Sequence, residues 1–382
     1  MRYITSTADL QLICDTLSHA PFITVDTEFL RDRTYYSKLC LVQVSGPDKQ
    51  SFLIDTLTDI DLAPLWDLLT IAPVLKIFHA AKQDLEIIWQ KSNRMVTPLF
   101  DTQIAAMVCG YGEQVGFDSL VHDVTGVRPD KSSQFTDWAR RPLSNKQLEY
   151  AADDVRLLVD VYHHLKKSLT QSERSDWVME EMNHLTDPKT YEQDPEHAWQ
   201  RLKIKHAKPR DLLALKHLSM WREVEAQSKD VPRSRILKDE TLMDIAYQRP
   251  RSIDELSSIR AISPDIARGK IGKVILDLVA DAERLPLESA PRLPAKKHLP
   301  AKYGAAAEML KMLLKITASE KNLAAKLIAD TDDIEEFVQN PYAHSLLTQG
   351  WRYEIFGAIA QKLLKGDIAL TLDKDQIKIL QF

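Results

Sequence analysis

The chain has 382 residues, of which 44% are hydrophobic and 27% charged, and its formal net charge is −5 at pH 7. This composition is typical of a folded globular protein, and the length predicts two or three domains. The acidic balance excludes a protein that coats nucleic acid along its whole surface, although it allows a local basic patch.

The N-terminus and the cysteines indicate the compartment. Residues 1–17 lack the apolar core of a secretory signal, and no apolar run reaches the ~18 residues of a membrane span. Cys14, Cys40 and Cys109 are odd in number and widely spaced, so they are interpreted as reduced thiols. We therefore expect a cytoplasmic protein with no membrane association.

The first half of the chain alternates between β-type runs and amphipathic segments. The spacing of apolar residues predicts strands at 22–25, 39–45, 50–55, 74–78 and 99–102, and helices at 7–18, 61–70, 81–90 and 103–108. Gly46-Pro47-Asp48 is a turn signal that favours an antiparallel meander around it. A meander followed by strands that alternate with helices predicts an α/β domain around a mixed sheet.

Two carboxylates follow the first predicted strand. Asp26 and Glu28 are two residues apart, and residues i and i+2 of a strand point to the same face. Like charges held this close repel unless a cation lies between them, and carboxylate oxygens suit a hard divalent cation. Because a solvated strand end gives the same pattern, the metal interpretation needs further acids along the chain.

A long helix that begins near Ser144 supplies one of these acids. Ser144 and Gln147 form a capping-box pattern, and an apolar face follows them. Tyr150 and Asp154 are four residues apart, so they lie one turn from each other on the same face. Structural packing would explain such a pair if it stood alone.

Three ordered segments of this half are characteristic of one enzyme family. They are Val25–Arg31 (Val-Asp-Thr-Glu-Phe-Leu-Arg), His79–Glu86 (His-Ala-Ala-Lys-Gln-Asp-Leu-Glu) and Tyr150–Asp154 (Tyr-Ala-Ala-Asp-Asp). On these segments the chain resembles the ribonuclease D family, in the tyrosine-bearing branch of the DEDD superfamily of 3′→5′ exonucleases. The resemblance implies a ribonuclease H-like α/β exonuclease domain with a mixed sheet at residues 1–170.

Carried onto this sequence, the resemblance implies a nuclease site with two divalent cations, Mg²⁺ or Mn²⁺, about 4 Å apart. The metal-binding acids would be Asp26, Glu28, Asp84 and Asp154. Tyr150 would orient the attacking water. The substrate-binding residues would be Phe29, Lys82, Gln83 and Gln134. Phe29 would stack on a terminal base, although core packing explains this residue equally well.

Three neighbouring polar residues are interpreted as structural. Asp153 points about 100° away from Asp154 on a helix, so no metal is assigned to it. Asp101 follows a strand and is expected to cap the next helix. His79 stands at a strand end and is expected to be a hydrogen-bonded structural histidine.

The second half of the chain is predicted to be helical. Five features, namely Trp221-Arg-Glu, Pro232, Ile236-Leu237, Asp239 and Ile245-Ala246, resemble an HRDC domain, the helical module that follows the catalytic domain in ribonuclease D and in RecQ-type helicases. The implied layout is a helical connector at 171–206, an HRDC domain at 207–287, a Pro-rich linker at 288–302 and a second all-α, HRDC-like domain at 303–382.

Basic residues are concentrated between Arg201 and Lys238, where only four acids oppose them: Asp211, Glu223, Glu225 and Asp230. A local excess of this size predicts a surface that contacts phosphates. A solvated helix face is the alternative interpretation.

Together these expectations describe a metal-dependent 3′→5′ exoribonuclease. The resemblance implies that it trims structured RNA with a free 3′ end, such as tRNA precursors, and releases nucleoside 5′-monophosphates. A DNA proofreading exonuclease would share the acids, and a non-catalytic RNA-binding scaffold would share the fold. The sequence has no zinc-ligand spacing, no glycine loop for phosphates and no nucleophile elbow, which disfavours an NTPase or a covalent hydrolase.

Overall fold

The computed structural model describes residues 1–293, 299–374 and 376–382. Part of the predicted linker, residues 294–298, therefore lies outside the described residues. Among the residues that are described, no helix combines the length and the apolar character needed to cross a membrane.

The chain folds into two compact units. The first unit contains Met1–Glu28, Leu39–Thr190 and the described residues from 299 onward. The second unit contains Phe29–Lys38 and residues 191–293. The first change from one unit to the other along the sequence falls between Glu28 and Phe29.

A six-stranded sheet forms the centre of the first unit. Its strands are β1 (Arg2–Ile4), β2 (Phe22–Leu30), β3 (Lys38–Ser45), β4 (Ser51–Asp55), β5 (Leu75–Phe78) and β6 (Leu99–Asp101). They lie in the order β1-β4-β3-β2-β5-β6, with β3 antiparallel to β4, and with β5 parallel to both β2 and β6. The mixed sheet and the antiparallel pairing across the Gly46 turn are confirmed. The predicted strands do not include β1, which pairs in parallel with β4.

The helices of this half surround the sheet: α1 (Thr7–Ser18), α2 (Ala63–Thr70), α3 (Lys82–Ser92), α4 (Thr102–Val108), α5 (Phe117–Thr125), α6 (Asn145–Gln171) and α7 (Ser175–Leu185). The predicted capping box of α6 is confirmed, because Ser144 Oγ accepts from Gln147 N at 3.3 Å and Gln147 Oε1 accepts from Ser144 N at 3.0 Å. The apolar face of α6, including Val155 and Leu158, is buried, and the helix packs on β4 and β5. This packing fixes the long helix across the centre of the sheet.

The second unit is a helical domain with its own apolar core. Its helices are α8 (Pro209–Lys229), α9 (Arg233–Ile236), α10 (Asp239–Gln248), α11 (Ile253–Ser258), α12 (Pro264–Arg268) and α13 (Lys270–Arg284). Leu213, Leu218, Leu242, Ile245 and Ile275 are almost completely buried in one cluster. Helices this short are unstable alone in water, so this shared core holds them in place.

The segment Phe29–Lys38 folds as part of this helical unit. The Tyr35 hydroxyl bonds to the Glu223 carboxylate and accepts from the Arg233 guanidinium at 3.0 Å, while that guanidinium also lies over the Tyr35 ring. The Asp230 carboxylate accepts the backbone N–H groups of Tyr35 and of the residue after it, both at 3.0 Å. The chain thus passes directly from the strand that carries Asp26 and Glu28 into the helical unit.

The last part of the chain is mainly helical but ends in a β-hairpin. The helices are α14 (Ala301–Lys321), α15 (Ala325–Ile328), α16 (Thr331–Gln339), α17 (Gly350–Arg352) and α18 (Ala358–Lys365), with a π-helical turn at Tyr353–Gly357. The hairpin pairs β7 (Ile368–Asp373) with β8 (Gln376–Gln381) in antiparallel register. This hairpin departs from the all-α expectation for residues 303–382. The alternating apolar residues of both strands are its sequence signal.

These C-terminal helices pack on the exonuclease half within the first unit. Trp177 and Trp351 stack with ring centroids 4.7 Å apart and planes inclined by 13°. The buried Arg352 forms an ion pair with Glu181 at 2.6 Å. A Cβ added to Gly110, whose φ is +88°, would lie 2.3 Å from the Asn322 side-chain nitrogen, so the contact requires glycine here. These contacts join the two parts into one compact unit.

Candidate active site

Three predicted acids converge at the end of β2. Asp26, Glu28 and Asp154 each offer a carboxylate oxygen, and these oxygens lie within 4.8 Å of one another. The geometry follows from the backbone, since Asp26 and Glu28 share one face of the strand. The hydroxyl of Thr24 donates to the backbone carbonyl of Val155 at 2.7 Å and so fastens α6 to β2 beside Asp154.

The fourth predicted acid, Asp84, lies close by but has a partner of its own. It is buried near the start of α3, and its carboxylate accepts a hydrogen bond from the Thr27 hydroxyl. It is not one of the three acids whose oxygens converge within 4.8 Å. The charge of Asp26 nevertheless raises the pKa of Asp84, so the two carboxylates are electrostatic neighbours.

Burial raises the pKa of every acid in the group, and repulsion between carboxylates adds to it for Glu28, Asp84 and Asp154. For Asp26 the main cause is burial, and for Glu28 the charges of Asp26, Asp154 and Asp84 add to burial. Burial and the charge of Asp26 raise the pKa of both Asp84 and Asp154 well above the ordinary value. Oxygen ligands of this kind fit a hard divalent cation, whose positive charge would reverse these shifts.

Tyr150 lies one helical turn before Asp154 and hydrogen-bonds to its carboxylate. Burial raises the pKa of Tyr150, and the charges of Asp154, Glu28 and Asp26 raise it further. The phenol therefore stays protonated at neutral pH. Its ring lies beside the buried Trp138, with centroids 6.0 Å apart. Tyr150 is thus a fixed hydrogen-bonding group at the acids rather than a base.

An ion pair between Arg141 and the buried Asp55 holds the backbone of Trp138, whose ring contacts Tyr150. Arg141 donates to both carboxylate oxygens of Asp55 at 2.6 Å and to the Trp138 carbonyl at 2.7 Å. The Tyr3 hydroxyl donates to the same carboxylate at 2.5 Å. A bidentate arginine pair fixes orientation as well as distance. Arg141 therefore holds the Trp138 backbone beside the ring contact with Tyr150, and sequence reasoning did not single it out.

A cavity of about 120 Å³ opens beside the acids. Its lining combines acids with apolar and aromatic groups: Asp26, His79, Phe117, Tyr150, Asp154 and Leu158. His79 bonds to Thr102 at 3.0 Å and to the Val115 carbonyl at 3.1 Å, which confirms its structural interpretation although its ring also reaches the cavity. Phe117 was missed by the sequence reasoning. The signal for its helix was the pair of glycines at 116 and 126, which flank α5.

Asp101 and Asp153, the two acids that were not assigned to the site, both have structural partners. Asp101 accepts from the N–H of Gln103 at 2.7 Å and caps α4, as predicted, and it also accepts from the N–H of Ala81 at 2.8 Å. Asp153 forms an ion pair with Arg156 at 3.1 Å. Neither residue belongs to the group of converging acids.

The four predicted substrate-binding residues occupy different surroundings. Lys82 and Gln83 are exposed in the first turn of α3, directly before Asp84. Gln134 is exposed in the loop that precedes α6. Phe29 is partly buried and belongs to the second unit. Their role in substrate binding stays a prediction.

Most of the basic side chains between Arg201 and Lys238 form ion pairs or hydrogen bonds within the second unit. Six of its side chains bond to acids or carbonyls of the same unit: Arg201, Arg210, Lys216, Arg222, Lys229 and Arg233. Lys203, Lys205 and Lys208 are exposed in the segment before α8. The excess of positive charge in the sequence therefore corresponds to a much smaller candidate surface.

The fold and the acidic site define a 3′→5′ exonuclease, and comparisons with known proteins agree. The sequence profile of the 3′-5′ exonuclease family matches residues 1–170, and that of the HRDC domain matches residues 211–279. The chain is 44% identical to ribonuclease D of Nitrobacter hamburgensis over 99% of this chain and 98% of that protein. It is 40% identical to ribonuclease D of Bartonella henselae over 100% of this chain and 94% of that protein.

A solved structure gives the same assignment. The crystal structure of Escherichia coli RNase D, described as an exoribonuclease involved in structured RNA processing, matches with a TM-score of 0.83 and 30% identity over 95% of this chain and 98% of that chain. The chain belongs to the ribonuclease D family of 3′→5′ exoribonucleases. The predicted fold class and the predicted exoribonuclease activity are confirmed, and the exonuclease fold implies that the enzyme uses a divalent metal.

Proposed function

We propose that this enzyme removes nucleotides one at a time from the 3′-hydroxyl end of structured RNA, such as tRNA precursors, and releases nucleoside 5′-monophosphates. The observation that carries the proposal is the convergence of Asp26, Glu28 and Asp154 beside Tyr150. Membership of the family supports it, because the Escherichia coli relative is described as acting in structured RNA processing.

The proposed cations are two Mg²⁺ or Mn²⁺ ions, held by the four acids Asp26, Glu28, Asp84 and Asp154. When bound, such a pair stabilises the charge on the attacking and the leaving oxygen of an in-line phosphoryl displacement. The acids suit this task because each is held by secondary structure and not by a flexible loop. Thr27 would fix the Asp84 carboxylate by its hydrogen bond while the remaining lone pairs face the cation.

Tyr150 is proposed to orient the attacking water. A phenol of raised pKa is a poor base at neutral pH, so its contribution is a hydrogen bond of fixed direction and not proton removal. The contact with Trp138, supported by Arg141, keeps the ring in place. The four acids would hold the cations that neutralise the charge of the scissile phosphate, and Tyr150 would fix the direction from which water attacks.

Contacts with the rest of the RNA are proposed for the four predicted substrate-binding residues. Lys82, Gln83 and Gln134 are exposed and polar, which suits hydrogen bonds to phosphate and sugar. Phe29 would stack on the terminal base, since stacking on an aromatic ring tolerates any base.

The proposed functional division follows the sequence: exonuclease domain 1–170, connector 171–206, HRDC domain 207–287, linker 288–302 and second HRDC-like domain 303–382. The end of the connector and the start of the HRDC domain are proposed to bind the body of the RNA through Lys203, Lys205 and Lys208, which are exposed. We place the enzyme in the cytoplasm because Cys14, Cys40 and Cys109 form no disulfide among the described residues.

The test is a degradation ladder on tRNA that carries a 5′ label and a short 3′ extension. We expect products shortened by single nucleotides when Mg²⁺ or Mn²⁺ is present, no products in EDTA, and no products from RNA with a 3′-phosphate. Fragments from circular RNA would contradict an exonuclease. Faster degradation of the matching DNA would favour the proofreading alternative, and binding without any products would favour the scaffold alternative.

A further inference from the structure

Phe135 has an exposed fraction of 92%, the largest among the large apolar side chains of the described residues. It lies in the loop of residues 127–143, between α5 and α6. A single exposed apolar residue needs no explanation by itself. Phe135 differs because its loop is held in place by hydrogen bonds and is connected to the helix that carries Tyr150 and Asp154.

The loop around Phe135 is tied down on both sides. Ahead of it, the Gln134 N–H donates to the Lys131 carbonyl at 3.1 Å. Behind it, the Thr136 N–H and hydroxyl both donate to the Ser133 carbonyl, at 3.2 and 2.7 Å. The backbone is therefore fixed while the ring projects into solvent, so the loop presents the aromatic face without further loss of backbone entropy on binding.

The same loop is connected directly to the catalytic helix. Gln147 of α6 donates to the Thr136 hydroxyl at 3.1 Å, and Tyr150 follows Gln147 by less than one helical turn. Adding the helical rise, the two side chains, the hydrogen bond and one residue step puts Phe135 at most about 20 Å from Tyr150. That limit corresponds to about six stacked nucleotides. A single strand of several nucleotides whose 3′ end lies at the acids is therefore long enough to reach this ring.

The loop exposes both cations and acids. Arg128 and Arg140 are exposed, and no ion pair with either is found among the described residues. Two acids of the loop are also exposed and keep their charge: Asp130 accepts the Ser132 N–H at 2.8 Å and Asp137 accepts the Ala139 N–H at 3.0 Å. Charge therefore does not decide what this loop binds, and the exposed ring offers a face on which a base of single-stranded nucleic acid can stack.

We propose that Phe135 is a stacking platform for a nucleobase of the RNA substrate, a few nucleotides upstream of the 3′ end. This inference rests on the proposed cleavage of RNA at the acids. The ring does not take part in the chemistry, so it contributes to substrate affinity and to the minimum substrate length. Because a ring face accepts every base, it adds no sequence preference.

The test compares Phe135→Ala, Phe135→Trp and the control Tyr342→Ala, which removes another exposed aromatic side chain of the first unit. The substrates are a ten-nucleotide single-stranded RNA and a dinucleotide too short to reach the ring. We expect Phe135→Ala to raise KM for the longer RNA by about five- to hundredfold with kcat changed less than twofold. Phe135→Trp and Tyr342→Ala should stay within twofold of wild type in KM.

A series of ten-nucleotide RNAs with one abasic site locates the contact. Wild type should lose affinity when the abasic site falls at one particular position, and Phe135→Ala should lose that sensitivity. The proposal is overturned if Phe135→Ala raises KM by less than fivefold, if the dinucleotide is affected equally, or if the variant changes the sedimentation coefficient, which would assign the ring to a contact between copies of the chain. Failure of all variants, and of wild type, to cleave RNA would instead refute the proposed function.

Discussion

The acidic site and the basic stretch of the helical unit use charge in opposite ways. In the first unit, burial raises the pKa of Asp26, and burial together with the charges of neighbouring carboxylates raises the pKa values of Glu28 and Asp154. In the second unit, burial opposes ionisation of Glu223, but hydrogen bonds from Arg233, Tyr35 and Arg201 outweigh it and lower the pKa to about 2. Carboxylates that lie close together suit the binding of a cation, whereas a carboxylate paired with arginines, as Glu223 is, stabilises the domain that contains it.

The two regions were also predicted from different kinds of sequence evidence: the acids from residue spacing and family motifs, and the basic surface from a count of charges. Strand spacing singled out Asp26 and Glu28, helix spacing paired Tyr150 with Asp154, and the family resemblance assigned all four acids, including Asp84, to one site. The basic stretch was found by counting charges, and a count contains no information about partners. Most of its cations bond within their own unit.

The largest effect should follow from removing one of the gathered acids. We expect Asp154→Asn to reduce the rate of RNA hydrolysis by roughly 10³-fold or more, because the residues of such a site act as a unit. The matched control is Asp153→Asn, which removes an acid paired with Arg156 and should leave the rate within twofold. The free energy of unfolding of metal-free Asp154→Asn should be equal to or higher than that of wild type, since repulsion is relieved. Equal rates for the two variants would remove Asp154 from the site.

Tyr150→Phe should have the next largest effect. The ring and its contact with Trp138 remain, and only the hydroxyl bonded to Asp154 is lost. We expect single-turnover rates at saturating Mg²⁺ to fall by roughly 10²-fold, the effect of a positioned acid–base group, with little change in RNA affinity. A rate within about threefold of wild type would mean that Tyr150 only packs.

Breaking a charge pair of the helical unit should cost stability rather than activity. Glu223→Gln leaves Arg201 and Arg233 without their carboxylate, and we expect the unfolding free energy to fall by about 1.5–3 kcal/mol in urea titrations. Glu225→Gln is the control, because its i,i+4 pair with Lys229 is worth only about 0.3–0.5 kcal/mol. Cleavage of a dinucleotide should be unchanged in both variants. A loss of dinucleotide cleavage in Glu223→Gln alone would show that this pair also serves the chemistry.

The smallest effect is expected at the exposed lysines. Changing Lys203, Lys205 and Lys208 together to Gln should weaken tRNA binding severalfold and reduce the slope of log affinity against log salt by roughly one per lost phosphate contact. A variant with Lys229→Gln, which loses a cation already paired with Glu225, is the comparison. An unchanged salt slope in the triple variant would exclude this segment from RNA binding.

Much of the fold was predictable because its elements carry strong local signals. The capping box at Ser144 and the apolar run of β2 gave their positions directly. The three residues of β1 are too few for a pattern to emerge, and they form a strand only because they pair with β4. The final hairpin carried an alternating pattern that was overlooked after a long helical stretch.

The site was predicted less completely than the fold. Neither Phe117 nor Arg141 was singled out from the sequence, although residues 138–143 resemble a segment of the family, and each of the two contacts neighbours that are distant in sequence. The same holds for the C-terminal helices, whose packing on the exonuclease half depends on the Trp177–Trp351 stack and the Arg352–Glu181 ion pair. Pairings over such sequence separations depend on the assembled tertiary structure, which local patterns do not encode.

The raised pKa values of the acids give the site a defined pH dependence. A carboxyl whose pKa is raised on folding adds stability below its unfolded pKa of about 4, and that contribution is lost as pH rises through the folded pKa. The metal-free enzyme should therefore lose stability as pH rises from about 4 upward, while cation binding restores it. The gain in Tm on adding Mn²⁺ should grow between pH 5 and pH 8.

The central claim, that these acids are gathered to hold divalent cations, is tested most directly by calorimetric titration of Mn²⁺ into wild type and Asp26→Asn at pH 6.5 in two buffers of different ionisation enthalpy. Because burial and repulsion keep protons on the acids, the wild type should bind Mn²⁺ and release protons, seen as a heat that depends on the buffer. Asp26→Asn should bind at least tenfold more weakly. Equal affinities for both proteins, with heats independent of the buffer, would contradict the account.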